Sequence, residues 1–365
     1  MAMYTPNFSI TNNLLTYISR IEAAKAVIDQ AALVPAWEAK FRDEALTRTV
    51  HFGTKIEGND LTQEQAQQVV RLDDVSDTTE VIRRTGLLAR ERDIQEVINY
   101  RNVIAWIDKQ QNPVLKQVYT LDTLNTIHKL TVYKLVEEQY AGSLRDKQVI
   151  VKSATQGTVV FRPPVSVEIP YLVNDLFAWG VASESGGLHP IFRAAITHYQ
   201  LVYIHPFIEG NGRTARAMAT LVLYTLGYDF KKFFSLEQYF DSDVEAYYQA
   251  LLSVQQSSNA NLTYWLEYFC YGLAIEIDKV KSQVTKLSKD LKLKRQLGKQ
   301  VALSERQILL LELFHNQEEV TSDDMQKVLP NISVDTVLRD IKDLIQKGVV
   351  EKYGVTKGVT YKLAE

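Results

Sequence analysis

The sequence predicts a mainly α-helical protein: a helical bundle carrying one small β-hairpin, followed by a short module of three helices and two strands. Three observations carry this. Apolar residues recur at three- and four-residue steps through most of the first 280 positions, the period of one helix face. β-rich runs occur at only two places, residues 149–161 and 349–363. A basic tract at residues 279–300 lies between the bundle and the module.

The elements follow in order. Residues 8–34 carry Ile10, Leu14, Ile18, Ile21, Ala24 and Ile28 on one stripe, and Pro35 punctuates the helix. A second helix covers residues 37–47. Thr62-Gln63-Glu64-Gln65 has the form of a capping box, so a third starts near Leu61. Asp73-Asp74-Val75-Ser76-Asp77 reads as a solvated loop, and helices follow at 90–109, broken before Pro113, and at 121–133. Val149-Ile150-Val151 and Thr158-Val159-Val160-Phe161 pair as a hairpin that Pro163-Pro164 closes. Helices resume over 169–179, 191–204, 213–226, 247–254 and 263–280. In the tract beyond, Lys279, Lys281, Lys286, Lys289, Lys292, Lys294, Arg295 and Lys299 face Asp290 alone, the pattern of a helical linker with a solvated basic face. Helices at 304–314, 321–329 and 333–347 then precede strands at 349–353 and 359–363 around Lys357-Gly358.

A chain of 365 residues, 46% hydrophobic and 23% charged, holds two or three soluble domains of ordinary size. A net charge of −3 gives no global case for nucleic acid or an anionic membrane. Cys270 is the only cysteine, which excludes a disulfide framework within the chain and a Cys-based zinc site, and its aromatic surroundings suit a buried thiol. There is no basic-then-apolar leader and no apolar stretch long enough to span a bilayer, so a cytoplasmic location is the expectation.

Residues 205–216 read His-Pro-Phe-Ile-Glu-Gly-Asn-Gly-Arg-Thr-Ala-Arg, and they place the parts of polyphosphate chemistry in one loop and one helix start. Gly210-Asn211-Gly212 can turn successive N–H groups into one concavity, to which the next helix adds its own N–H groups and dipole. Arg213 and Arg216 share a helix face and can reach an anion held there. Glu209 can hold a Mg²⁺ that bridges phosphate oxygens, and His205 can take a proton near neutral pH. Neither a Walker loop nor a His-Glu-x-x-His helix occurs elsewhere.

This run resembles the signature of the Fic family, His-Pro-Phe-x-Asp/Glu-Gly-Asn-Gly-Arg-x-x-Arg, with every fixed position matched. The resemblance implies transfer of AMP from ATP to a protein hydroxyl (Tyr, Ser or Thr), with pyrophosphate leaving. It makes His205 the general base, Glu209 the Mg²⁺ ligand, and Asn211 with the amides of Gly210 and Gly212 the α-phosphate cradle. Arg213 and Arg216 would hold the β- and γ-phosphates, and Tyr248 and Gln255 would lie around the adenine. Gly142-Ser143-Leu144-Arg145, the hairpin, Pro163-Pro164 and Leu176-Phe177-Ala178-Trp179 stand in the order that family members show. There the hairpin is a flap whose strand edge lines up an extended target segment.

Similar proteins also carry Ser or Thr, three free positions, Glu, then Gly or Asn, in a helix ahead of the core; that glutamate pairs with the second signature arginine and obstructs the γ-phosphate. Glu57-Gly58 matches, but Gly53 stands where the hydroxyl belongs and Thr54 comes one position late. Glu57 is thus expected to restrain the enzyme through Arg216, and in some such proteins the same glutamate also supports removal of AMP. The resulting layout is residues 1–95 as a helical region with the inhibitory motif, 96–278 as the catalytic core, 279–300 as the linker and 301–365 as the final module.

That module resembles a winged helix-turn-helix. It counts eight Lys and Arg against eleven Asp and Glu over residues 301–365, and its recognition-helix candidate alternates Asp335, Arg339, Asp340, Lys342, Asp343 and Lys347. Phosphate contacts supply most non-specific DNA affinity, so docking of a protein, or of a second copy as a homodimer, fits better than DNA. Two alternatives remain beside the adenylyltransferase. One is a phosphotransferase like the Doc toxins, which replace the second glycine of the turn by lysine where Gly212 is intact here. The other is a DNA-binding regulator whose nucleotide site only senses.

Overall fold

The structure is a computed structural model and describes residues 4–31, 33, 35–72, 75, 77–110, 114–152, 159–183, 186–296, 304–317, 319–330, 332–354 and 359–364. Asp73, Asp74, Ser76, the hairpin tip at 153–158, Lys299 and Lys357-Gly358 lie outside the described residues. The chain forms two units: Met1–Ala31 with Glu38–Gln283, and Ala32–Trp37 with Val284–Glu365.

Helix α1 (Asn12–Gln30) starts where the Thr11 hydroxyl accepts from the Leu14 N–H, and it buries Leu14, Ile21, Ala24 and Ile28 while Ile10 stays outside. Helix α2 (Pro35–Lys55) runs well past the end expected at residue 47. A helical glycine costs about 1 kcal/mol against alanine, yet Val50, His51, Gly53 and Thr54 are all buried, and that packing carries the helix through Gly53. The capping box of α3 (Gln63–Val70) is present in full, with Thr62 and Gln65 bonding each other's backbone. Helix α4 (Thr78–Thr85) has no counterpart in the apolar pattern; Asp77 caps its start and Gly86, at φ 69°, its end.

Helices α5 (Glu91–Asp108), the single turn α6 (Leu115–Val118) and α7 (Leu121–Thr131) lead to the hairpin of β1 (Val151–Lys152) and β2 (Val159–Phe161). The strands pair antiparallel, Val151 opposite Phe161 and Lys152 opposite Val159. Then come α8 (Ile169–Ala182), α9 (Pro190–Ile204), α10 (Asn211–Thr225), the unexpected α11 (Leu236–Ser242), α12 (Val244–Gln256) and the long α13 (Thr263–Gln296), which continues through most of the basic tract. Helix α9 is buried continuously from Ile191 to Leu201 and α10 from Arg213 to Ala219, so both run through the core rather than along its surface. The loop joining them is residues 205–210, and its position is fixed by the two most enclosed helices of the fold. Trp265 of α13 seals this core by donating from Nε1 to the Ala195 carbonyl at 2.8 Å, and Cys270 is fully buried nearby. At the chain start Asn7 pairs with Asn261 ahead of α13.

Buried Leu14, Ile21, Val69 and Val81 belong to the same unit as α5 and α7–α12, and the division falls after Gln283. The second unit holds α14 (Glu305–Asn316), α15 (Ser322–Val328) and α16 (Val334–Gln346), then β3 (Val350–Tyr353) paired antiparallel with β4 (Thr360–Leu363). Its core gathers Leu310, Phe314, Met325, Val337, Ile341, Leu344 and Tyr361. On α16, Asp340 pairs with Arg306 at 2.8 Å and Asp343 accepts from Gln307 at 2.6 Å. The exposed face of α16 keeps Asp335 beside Arg339 and Lys342. Among the described residues no helix is long and apolar enough to cross a membrane.

Neighbouring leucines on α1 test the buried stripe. Leu14 is 0% exposed and Leu15 57%. Leu14→Ala should lower unfolding stability in urea by about 2–5 kcal/mol, and Leu15→Ala by under about 0.5 kcal/mol.

Candidate active site

Helix α9 ends on His205 itself, whose backbone is left-handed at φ 51°, ψ 58°. The turn leaves the imidazole half-buried, with Nδ1 3.3 Å from the Val202 carbonyl. A carbonyl only accepts, so Nδ1 carries the hydrogen and Nε2 keeps the free lone pair. Burial, joined by the nearby Arg145 charge, pushes the His205 pKa down to about 4 against the opposing pull of the Val202 bond and Glu57. The ring is therefore neutral throughout the physiological range.

The loop after His205 is held from three sides. Arg145 donates from its backbone N–H to Pro206 O at 2.9 Å and from Nε to His205 O at 2.8 Å, with Nη2 on Pro164 O at 2.6 Å. The Gly142–Arg145 stretch thereby clamps the loop to the base of the hairpin. His128 of α7 stacks flat on Phe207, ring centroids 3.6 Å apart. Its Nδ1 accepts from Gly142 N–H at 2.9 Å, so Nε2 carries hydrogen and donates to Glu209 O at 2.9 Å. Burial holds that imidazole neutral as well, with a pKa of about 4. The Asn211 carboxamide closes the turn on one residue, accepting from Phe207 N–H and donating to Phe207 O, both at 2.9 Å. Its side chain is thus committed to the loop, and what Asn211 can offer a phosphate is its backbone N–H.

Helix α10 opens at Gly210, φ 77°, and its first internal backbone bond is Thr214 N–H to Gly210 O. The N–H groups of Asn211, Gly212 and Arg213 head the helix without intrahelical acceptors. An anion belongs there, and a carboxylate is already present. Glu57 Oε1 lies so close to Gly212 that a Cβ at that position would collide with it. The same oxygen takes Arg216 Nη2 at 2.8 Å, and that nitrogen also donates to Gly53 O at 2.8 Å. Desolvation opposes ionisation of Glu57, but the Arg216 and Arg213 charges outweigh it and hold the carboxyl below its usual range; Arg216 is correspondingly raised. Below that range the pairing would be lost, and at neutral pH it is fully formed.

Arg213 is 2% exposed, and its Nε and Nη1 have no hydrogen-bond partner among the described residues. Glu96 stands 3.5 Å and Glu209 3.9 Å from its guanidinium. Such an orphaned buried donor set is costly unless an anion completes it. Arg213 and Glu209 line a cavity of about 350 Å³ with Glu57, Arg92 and Glu96. The Glu209 carboxylate also pairs with Arg92 of α5. Among the described residues no cluster of three or more His, Cys, Asp or Glu could hold a metal ion alone.

The turn bearing Glu57 is tied to α5. Asn59 Nδ2 donates to Asp93 O and to Glu96 Oε2, each at 3.0 Å, while Arg90 joins Asp60 at 2.7 Å and Asp93 at 2.8 Å. The Thr54 hydroxyl bonds back to Val50 O and His51 O at 3.0 Å, so it gives Glu57 no support. Tyr248 of α12 is 42% exposed with its hydroxyl 3.5 Å from Ile56 O, beside the Glu57 turn, and Gln255 lies two turns further along the same helix. On the hairpin, Ile150, Val159 and Val160 are exposed.

The buried His51, His128 and His198 and the half-buried His205 are all pushed below the ordinary value of 6.5, chiefly by burial. Groups shifted this way stabilise the fold above pH 6.5 and lose that contribution as pH falls toward 4. Calorimetric melting at pH 7.5, 6 and 5 should show Tm dropping through this window, and His128→Asn should make the drop shallower.

Residues 118–223 match the sequence profile described as the Fic/DOC family. Curated relatives named protein adenylyltransferase Fic include one from Nematostella vectensis, 29% identical over 185 residues, and one from Drosophila ananassae, 26% identical over 210. These matches cover 51% and 58% of this chain but only 39% and 37% of the relatives, so it spans well under two thirds of their length. A Fic family protein from Desulfovibrio desulfuricans G20 superposes over 99% of this chain and 98% of its own, with TM-score 0.66 and 22% identity. A Fic domain containing signaling protein from Bacteroides thetaiotaomicron VPI-5482 gives TM-score 0.58 and 22% identity over 76% of this chain and 97% of its own. At such identities the structural likeness speaks to the helical fold.

Proposed function

We propose, from the match of residues 118–223 to the Fic/DOC family, that the protein transfers AMP from ATP to a hydroxyl side chain of a target protein, restrained by Glu57. The observation that carries this is the pair of buried guanidiniums on the first turns of α10. Arg213 has two donors without partners, and Arg216 is met by a carboxylate that lies on Gly212, where a phosphate would otherwise enter. A helix N-terminus with two buried arginines is built for several negative charges rather than one.

In this reading the target hydroxyl oxygen forms a bond to the α-phosphorus while the bond to the pyrophosphate oxygen breaks. The hydroxyl proton goes to Nε2 of His205, whose neutral state is held by burial. Arg213 and Arg216 take the charge that gathers on the leaving pyrophosphate. Glu209 offers one carboxylate on the cavity, which suits a Mg²⁺ completed by phosphate oxygens and would add further charge neutralisation. Binding there requires Glu209 to part from Arg92. The adenine would sit toward Tyr248 and Gln255, and an extended target segment beside the exposed hairpin edge.

Glu57 obstructs this arrangement by occupying both the Arg216 donor and the space over Gly212. The same contact bears on a Doc-like reaction, since a lysine at position 212 would run into Glu57. For the second unit we favour a winged-helix module that docks a protein or a second copy. Its support is the order of α14–α16, β3 and β4, with a mixed rather than basic outer face on α16.

Glu57→Gly should raise ATP-dependent AMP incorporation about tenfold or more, as freeing a charged hydrogen-bond partner implies, and His205→Ala should abolish it. Labelled ATP with magnesium and whole-lysate protein as acceptor provides the assay. An unchanged rate in the Glu57 variant would remove the restraint from the account.

A further inference from the structure

A second group of polar side chains lies behind Arg216 in the core. Tyr100 of α5 is 0% and Glu237 of α11 3% exposed, and the Tyr100 hydroxyl donates to Glu237 Oε1 at 2.9 Å. Ser235 supplies a longer contact to the other oxygen, 3.5 Å. Glu237 and Arg216 line one small void together with His198 and Phe240, and Tyr247 joins the set through a 3.0 Å contact with His198 Nε2. Burial raises the pKa of the Tyr100 and Tyr247 hydroxyls, and the nearby Arg216 charge opposes that rise. Neither Tyr100 nor Glu237 lines the cavity of Glu209 and Arg213.

Gly53 explains how these groups come so close. A Cβ there would strike the Tyr100 ring and lie 3.3 Å from Glu237 Cγ, so only glycine lets α2 press on both. The same residue presents its carbonyl to Arg216 at 2.8 Å. Elements α2, α5 and α11 therefore converge on one guanidinium that is 3% exposed. When Glu57 withdraws, that buried cation still needs acceptors, and a long side chain without them would leave its place.

We propose that Tyr100 and Glu237 are positioning residues that hold Arg216 aimed at the triphosphate site whether or not Glu57 is engaged. This rests on the reading of Arg216 as a ligand of the distal phosphates. Burial raises the Glu237 pKa, and the Arg216 charge and the Tyr100 hydroxyl pull it back, as expected for an acid serving as a rear partner.

The test uses the full chain carrying Glu57→Gly, with Tyr100→Phe or Glu237→Gln added singly. Calorimetric titration with ATP and with AMP, both with magnesium, separates distal-phosphate contacts from the rest of the nucleotide. Each added substitution should weaken ATP about tenfold, leave AMP within about twofold, and keep Tm within a few degrees. Unchanged ATP affinity, or equal weakening of ATP and AMP, overturns the positioning role. Should Tyr100→Phe fail to fold, Glu237→Gln alone decides. A Glu57→Gly protein that binds neither nucleotide removes the underlying functional reading, and this inference with it.

Discussion

Two guanidiniums buried on the first turns of α10 impose the constraint around which the rest of the site is arranged. Arg213 and Arg216 are 2% and 3% exposed, and a buried cation without compensation costs several kcal/mol. Each neighbouring element answers that demand. The turn after α2 sends Glu57, α5 sends Glu96 and Tyr100, the loop sends Glu209, and α11 sends Glu237. Arg213 is the less satisfied of the two, with orphaned donors facing a polar cavity. An apolar core would have been the more stable choice, so the arrangement makes sense as a site waiting for an anion.

The restraint proposed for Glu57 and the scaffold of the site draw on the same contacts. Helix α2 reaches Arg216 twice, through the Glu57 carboxylate and through the Gly53 carbonyl. Its terminal turn is fastened to α5 by Asn59 and Arg90. The motif that Glu57-Gly58 resembles has a hydroxyl at the position of Gly53. Here the space that it would need is taken by Tyr100 and Glu237, and Thr54 turns its own hydroxyl back into the helix. The local support for the glutamate has been exchanged for anchoring of the whole turn.

The signature loop was legible because phosphate chemistry needs its parts contiguous: a turn, a helix start and two arginines one helical turn apart. Glu57-Gly58 was legible for a similar reason, as a short motif with a definite spacing. His128, Arg92, Glu96, Tyr100 and Glu237 were not, since each is a single residue of an ordinary type brought in from elsewhere in the chain. The buried His128 on a helical stripe carries the same pattern as any core histidine. Helix boundaries suffered where packing overrode local signals. The reading ended α2 at residue 47, where the buried face beyond carries the helix on to Lys55, and the short α4, α6 and α11 have too few turns to show a period. The alternating charges of α16 did not reveal their partners, which for Asp340 and Asp343 are Arg306 and Gln307 of α14.

The sole thiol of the chain, Cys270, is wholly enclosed among aromatic rings, and burial drives its ionisation far above the ordinary range. Alkylating and disulfide-forming reagents act on the thiolate, so the native protein should be silent toward them. A cysteine engineered at an exposed place such as Ile150 would then be the one reactive handle on the molecule. A fluorophore or spin label could be attached there without first removing any native residue.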